Sequence, residues 1–228
     1  AYYRIYAADL LPQNVDKVLY LDCDIIVNKP IGELFDMDWT NIAIVGAPDM
    51  SIDWQEFYDR LQYDRSLGYF NAGVVLMNLD YWRQHCIAQQ CLDYLANNYA
   101  IIENNDQDVL NVVMRMKKKM LPITWNFQTQ FLTPFIYDKF SKQMQKEVLN
   151  EKSPKIIHYA SEMKPWMAYY YSYPFYSLWR KYKKLSPWRY MPELLPKKLK
   201  LIALIKRYLI WPLGIWLKKP QLIEGWSE

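Results

Sequence analysis

Cysteine is scarce in this chain. Cys23, Cys86 and Cys91 are the only three in 228 residues, and no two form a CxxC pair. An odd, sparse set excludes a disulfide framework and points to a reducing compartment. Histidine is scarcer still, with only His85 and His158. No internal repeat or low-complexity linker interrupts the chain. Residues 196–219 come nearest to an apolar span, but Lys206 and Arg207 break the run in its middle and Pro212 breaks it again. A spanning helix needs about 20 nearly uninterrupted apolar residues, so none is expected. The opening Ala1-Tyr2-Tyr3-Arg4 has no initiating Met and no basic start followed by an apolar core. The chain is therefore expected to be a fragment of a longer product.

What is present argues for a folded body. Apolar residues make up 52% and aromatics 17%, which excludes global disorder. The length suits one well-buried α/β domain with an appendage. The charge is divided: residues 164–228 hold 13 Lys and Arg against 3 Glu, whereas residues 1–163 hold 15 basic against 21 acidic groups. An acidic body with a basic, aromatic tail is not the profile of a nucleic-acid binder, whose cations should lie on the folded face. It suits a body held at an anionic surface.

Residues 16–27 (DKVLYLDCDIIV) read as one strand buried on both faces. Asn41 to Ala47 and Tyr69 to Leu79 are further strands. Asp80 to Tyr99 has helical spacing that lets Trp82, Cys86, Cys91, Leu92 and Leu95 share one face, with His85 on the exposed side. Asp106 to Met116 reads as a helix with Asp106 in its first turn and Lys117-Lys118-Lys119 complementing its C-terminal dipole. Lys155 to Tyr159 is a short strand ending at a polar turn. Strands alternating with helices give a three-layer α/β domain.

The chemistry concentrates at Asp22-Cys23-Asp24. Ligands collect at the carboxyl ends of strands in α/β sheets, and two bare acids are costly to bury there. Strand side chains at i and i+2 point the same way, so both carboxylates can reach one hard divalent cation, which in turn can bridge phosphate oxygens. Two solvated acids at a strand end are the plainer reading of this pair alone.

Its company is more specific. YLDCDIIV resembles the DxD strand of glycosyltransferase family 8, the family of bacterial lipopolysaccharide galactosyl- and glucosyltransferases and of glycogenin. Tyr3-Arg4 with Leu10-Leu11-Pro12, Phe70-Asn71-Ala72-Gly73-Val74, Asn105-Asp106-Gln107-Asp108 with Leu110-Asn111, and His158-Tyr159 with Lys164-Pro165-Trp166 resemble four more blocks of that family, in order. The resemblance runs from about Tyr2 to Trp166. It implies a GT-A-type α/β/α fold with a mixed sheet, incomplete at the N-terminus. Residues 1–166 would be a partial catalytic domain, and residues 167–228 a helical, basic-aromatic extension.

The resemblance also implies roles. Asp22, Asp24 and His158 would hold Mn²⁺, or Mg²⁺ in its place; the imidazole, softer than a carboxylate, suits Mn²⁺ better. Arg4, Asp22, Cys23, Asp24, Asn71, Ala72, Gly73 and Lys164 would line the nucleotide-sugar donor, with Lys164 a point charge on its diphosphate. Gly73 would allow close approach of the sugar, and Asn71 a hydrogen bond to one of its hydroxyls. Asp106 would hold sugar hydroxyls, and Gln107 would sit near the anomeric carbon opposite the leaving group. A retaining glycosidase places a carboxylate nucleophile there; Gln is a poor one, which favours same-face substitution with retention. Asp108 is ranked as a residue ordering the helix start. Asp49 and Asn126-Phe127-Gln128 are read as acceptor-side residues on loops. The family usually has Gly where this chain has Ser161, which alters an expected amide contact to phosphate.

The function implied is a retaining hexosyltransferase, moving galactose or glucose from a UDP-sugar to a saccharide such as lipopolysaccharide core or another lipid-linked glycan. Residues 196–219 would lie as an interfacial amphipathic helix on an anionic membrane, placing the protein peripherally on the cytoplasmic face of the inner membrane. Packing of that segment on the body or on a partner is the alternative. Family members begin with a β-α-β stretch for uracil and ribose, so this chain is expected to lack most of the nucleoside pocket and to expose hydrophobic sheet edges. Two other classes stand against this reading: a non-catalytic scaffold or carbohydrate-binding relative, and a DxD phosphohydrolase whose further motifs are not found.

Overall fold

A computed structural model describes residues 2–161, 164–167, 174–192 and 222–226. The predicted interfacial helix at 196–219 lies outside them. The chain begins with a 3₁₀ turn at Tyr2–Tyr6 and the short α1 (Ala7–Leu10), then enters β1 (Lys17–Leu21) and β2 (Ile25–Val27). β3 (Ile44–Pro48), α2 (Gln55–Leu61), β4 (Phe70–Asn78), α3 (Leu79–Gln84), α4 (Ile87–Asn98) and α5 (Asn105–Val113) follow. β5 (Lys118–Met120), β6 (Phe127–Gln128), α6 (Pro134–Tyr137), α7 (Lys142–Asn150), β7 (Ile156–His158) and α8 (Tyr176–Leu185) complete the order.

Two mixed sheets form, where one was expected. The larger runs β1-β4-β3-β5 and the smaller β2-β7-β6. In the larger, β4 is antiparallel to both β1 and β3, and β3 is parallel to β5. β4 reads FNAGVVLMN, and all but its last residue are buried, as befits a central strand covered on both faces. On one face Phe70, Ala72, Val75 and Met77 meet Trp82, Ile87, Cys91 and Val109 from α3, α4 and α5. On the other, Val74 and Leu76 meet Leu34, Trp125 and Ile156.

That division departs from strict alternation, because Ala72 and Val75 share a face although three residues apart. The pairing with β3 shifts at the same place, from Gly46↔Val75 to Pro48↔Phe70. A bulge of this kind re-aims side chains, and this one falls on Asn71-Ala72-Gly73.

Four sequence expectations are corrected. Residues 16–27 are not one strand: β1 and β2 belong to different sheets, and Asp22 to Asp24 form the turn between them. β1 is an edge strand and only half-buried, not buried on both faces. The helix over Asp80 to Tyr99 breaks at Cys86, whose backbone is left-handed (φ 48°); Cys86 is exposed, and Ile87 and Ala88 face the core in its stead. Lys118 does not cap a helix. It lies in β5, with its ammonium donating to Gly68 O and to Asn111 Oδ1 (3.2 Å), and burial pulls it down to about 7.

A second core lies under the smaller sheet, where Phe127, Phe131, Phe140, Val148 and Ile157 pack together with Phe175, Ile223 and Trp226. Residues from beyond the expected boundary at 166 thus share a core with β7. α8 rests Leu178 and Trp179 on this core and turns Arg180, Lys181 and Lys184 outward. Among the described residues, no helix is long and apolar enough to cross a membrane.

Candidate active site

The site forms where the two sheets meet. β1 ends at Leu21, paired with Val74, and the Asp22 N–H continues the ladder to Gly73 O (2.8 Å). The chain then crosses to the smaller sheet, where Ile25 pairs with His158 and the Tyr159 N–H bonds Asp24 O (2.9 Å). The two acids converge on His158 because the chain turns between sheets, not through strand alternation. One ligand atom from each of Asp22, Asp24 and His158 lies within 4.8 Å of the others. His158 Nε2 stands 3.3 Å from Asp24 Oδ1 and 3.8 Å from Asp22 Oδ2. Two carboxylates and an imidazole at this spacing fit a divalent cation of the Mn²⁺ class.

Gly73 makes the convergence possible. A Cβ there would lie 2.3 Å from His158 Cε1 and 2.8 Å from Asp22 Oδ2. The missing side chain thus makes room for the imidazole, a different use from the sugar approach expected of it. Cys23, between the acids, is exposed.

Positive charge flanks both acids. Lys164 Nζ lies 2.5 Å from Asp24 Oδ2 and donates to Tyr159 O (2.6 Å). Burial opposes ionisation of Asp24, but His158 and Lys164 outweigh it and hold the carboxyl down to about 2. Arg4 reaches Asp22 Oδ1 at 3.3 Å and Asp106 Oδ2 at 2.5 Å, donates to Ala72 O, and lies over the Tyr20 ring. Tyr20 donates to Asp22 Oδ1 (2.9 Å), and burial followed by that bond pushes its phenol up to about 12. Asp106 is almost wholly buried, and burial raises its carboxyl above the usual range against the pull of Arg4.

Gln107 is held by a second set of contacts. Its Oε1 accepts from the Ala72 N–H (2.9 Å), and its Nε2 donates to the Tyr69 hydroxyl (3.2 Å). Tyr69 in turn donates to Asp108 Oδ1 (2.5 Å). Asp108 also accepts from the Glu103 and Asn104 N–H groups (2.8 and 2.9 Å) and pairs with Arg60 (2.8 Å). It thereby orders the start of α5, as expected. Its complete burial opposes charge, yet Arg60, Tyr69 and the two amides together keep its carboxyl below the ordinary range.

Asp22, Asp24, His158, Lys164, Arg4, Asp106 and Gln107 are thus linked through direct contacts and Ala72. The acceptor-side group is not on an open loop: Asn126, Phe127, Gln128 and Asp49 are all buried. Gln128 ties down the loop after β3 by bonding Pro48 O (2.8 Å) and the Met50 N–H (3.3 Å). The Asn71 carboxamide, expected to face a sugar, is turned inward to Asp49 and Asn126 (2.9 Å each). Tyr20, Tyr69 and Arg60 were missed by the sequence reading. Tyr69 and Arg60 reach Asp108 across 39 and 48 residues, which no local pattern announces; Tyr20 bonds Asp22, two residues on, from beneath Arg4. His85 is exposed at the end of α3, its ring 4.1 Å from that of Tyr81 and tilted by 35°.

The family model for glycosyl transferase family 8 matches residues 1–169. The chain belongs to that family. This family 8 chain is 31% identical over 186 residues to glycosyltransferase GlyF of Streptococcus pneumoniae, covering 82% of this chain and 42% of that protein. It is 30% identical to the lipopolysaccharide 1,3-galactosyltransferase of Salmonella typhimurium, over 86% of this chain and 57% of that one. With the lipopolysaccharide 1,2-glucosyltransferase of Escherichia coli it shares 29%, over 82% and 55%. The chain therefore spans about half the length of the curated relatives it matches. In fold it resembles a crystal structure of the galactosyltransferase LgtC in complex with donor and acceptor sugar analogues. There the TM-score is 0.68 at 23% identity, over 87% of this chain and 69% of that one. The expected GT-A-type mixed α/β fold is met.

Proposed function

We propose that this family 8 chain is the catalytic core of a metal-dependent, retaining hexosyltransferase using UDP-galactose or UDP-glucose. The observation that carries the reading is the convergence of Asp22, Asp24 and His158 at the junction of the two sheets. A divalent cation held there would neutralise charge building on the departing diphosphate. Lys164, beside Asp24, is placed to add a second positive charge to the same group. Arg4 and Asp106 form a buried charged wall that can bind sugar hydroxyls, and their mutual ion contact keeps either from standing as a bare charge. Gln107 offers an amide oxygen oriented by the Ala72 N–H and Tyr69. Such an oxygen can stabilise positive charge at an anomeric carbon without forming a lasting bond, which accords with same-face substitution.

The acceptor is proposed to be a saccharide of a lipid-linked glycan, the class named for two of the relatives. The outward cations of α8 and the exposed Trp188 and Tyr190 favour a peripheral position on an anionic membrane surface. The test is UDP release from UDP-galactose and UDP-glucose by the full-length protein, with and without Mn²⁺. Turnover should require the cation and should vanish in Asp24→Ala and His158→Ala. Unchanged turnover in either variant would remove the metal assignment.

A further inference from the structure

His158 is held by more than its strand. Its Nδ1 lies 2.9 Å from Asn126 Oδ1. Asn126 Nδ2 donates to Asn71 Oδ1 (2.9 Å), which also accepts the Gly73 N–H (2.9 Å). Asn71 Nδ2 donates to Asp49 Oδ2 (2.9 Å). Asp49 is fixed in turn by the Ser51 N–H (3.0 Å) and hydroxyl (2.6 Å) on its other oxygen. All five residues are buried, Ser51 and Asn126 completely.

The polarity of this chain is determined from its ends. A carboxylate only accepts and a backbone N–H only donates. Between Asp49 and the Gly73 N–H, the Asn71 amide has one permitted orientation, nitrogen toward Asp49 and oxygen toward Gly73. That oxygen requires a donor from Asn126, so Asn126 presents its own oxygen to the imidazole. An oxygen there requires a proton on Nδ1, so Nε2 is the nitrogen left to face Asp22 and Asp24, with a lone pair in the neutral ring and an N–H in the charged one.

We infer that Asp49, Asn71 and Asn126 are positioning residues that set the tautomer and ring orientation of His158, so that Nε2 is presented as a ligand before any cation arrives. The inference deepens the proposed metal site and rests on it for its purpose, though not for its geometry. Partners of this kind fix the ring of a ligating histidine, and their loss usually costs about 10- to 100-fold in metal affinity. It also gives the FNAG block a use in this chain beyond sugar contact: Asn71 transmits the orientation, and Gly73 supplies both the N–H that fixes Asn71 and the space that admits the ring.

The test reads the imidazole directly. The chain holds only two histidines, so nitrogen-15 correlation spectra of the metal-free protein resolve which ring nitrogens carry a proton in each. His158 should show a single form protonated on Nδ1, with exposed His85 as an internal control. Asn126→Leu should mix the tautomers and weaken Mn²⁺ binding by about 10- to 100-fold in titration calorimetry. Asn126→Asp keeps an acceptor toward Nδ1 and should hold the Nδ1–H form, at a cost in stability because it loses the donor to Asn71 Oδ1. His158 with Nδ1 unprotonated in the wild-type protein would overturn the inference, even if Asn126→Leu fails to fold. So would an Asn126→Leu protein that keeps both tautomer and affinity. A wild-type protein with the Nδ1–H form that binds no Mn²⁺ would support the relay and refute the metal reading.

Discussion

Gly73→Ala is the sharpest test of the site, because a single methyl group meets three of its members at once. An alanine Cβ would stand 2.3 Å from His158 Cε1, 2.8 Å from Asp22 Oδ2 and 2.9 Å from Asn71 Oδ1. Ordinary contact begins near 3.4 Å, so the imidazole must retreat by roughly 1 Å. His158 is only 3% exposed and anchored through Nδ1, so it cannot retreat without straining Asn126 or the β7 backbone. Overpacking of this kind costs about 1–3 kcal/mol, or some 2–12 °C in melting temperature for a domain of this size. A displacement near 1 Å at a chemical site costs about 100-fold. We therefore expect Mn²⁺ affinity to fall by about that factor, to an extent that the stability loss alone does not predict.

The cause can be isolated. If the clash is with the imidazole, truncating the ring should relieve most of it, so Gly73→Ala combined with His158→Ala should be less destabilised than the sum of the single variants. A coupling of about 1–3 kcal/mol is expected in chemical denaturation of the metal-free proteins. Additive effects, or a Gly73→Ala protein with Mn²⁺ affinity within about threefold of wild type, would refute the steric argument.

Tyr69→Phe removes the hydroxyl between Asp108 and Gln107 and should cost about 1–3 kcal/mol in stability. It should lower kcat in UDP release while leaving Mn²⁺ affinity unchanged, because the Gln107 contacts do not touch His158. Asp108→Ala leaves Arg60 without its fully buried partner and should destabilise by about 3–5 kcal/mol, read from denaturant midpoints. Because the folded Asp108 carboxyl lies below its ordinary value, its contribution is complete above the unfolded pKa near 4 and lost on acidification, so wild type and Asp108→Ala should converge in stability toward low pH. Lys118 is the opposite case: its folded ammonium titrates at about 7, so between pH 7 and about 10 the unfolded chain binds a proton that the folded one does not. Stability should rise with pH across that window relative to Lys118→Met, by up to about 1.4 kcal/mol per unit, and a constant difference would show that the amine is not desolvated. Replacing Arg180, Lys181 and Lys184 by Gln should weaken sedimentation with anionic vesicles by about 100-fold, at about 1 kcal/mol per cation.

How much of this was legible depended on the range of the forces involved. β4, α5 and β7 could be placed from sequence because their apolar pattern is a local property. The proposed ligand set Asp22, Asp24 and His158 could be named because five short blocks occur in a fixed order, although nothing local brings residue 158 to residue 22. The error over residues 16–27 has a clear cause: apolar periodicity on either side of the acids is continuous, and only pairing with β4 on one side and β7 on the other reveals that two sheets share the run. Lys118 was misread for a similar reason, since three consecutive lysines after a helix look solvated until β5 pairs with β3 and turns the middle one inward.

The polar residues show where sequence reading stops. Asn71 and Asn126 are neutral amides whose function depends on which end faces which neighbour. Composition and spacing carry no information about that choice. It is made instead by groups that cannot choose, the Asp49 carboxylate and the Gly73 N–H, and passed along hydrogen bonds to an imidazole that could otherwise adopt either tautomer. The same device recurs at Gln107, where the Asp108 carboxylate fixes Tyr69 and the Ala72 N–H fixes the amide oxygen. In both cases the fixed donor belongs to the Ala72-Gly73 stretch of β4, where the bulge lies. A bulge frees backbone N–H groups from the ladder, and here two of them orient the side chains on either side of the site. That is a physical reason for the irregularity to sit there: a regular β4 would have consumed those N–H groups in pairing and left both amides free to turn.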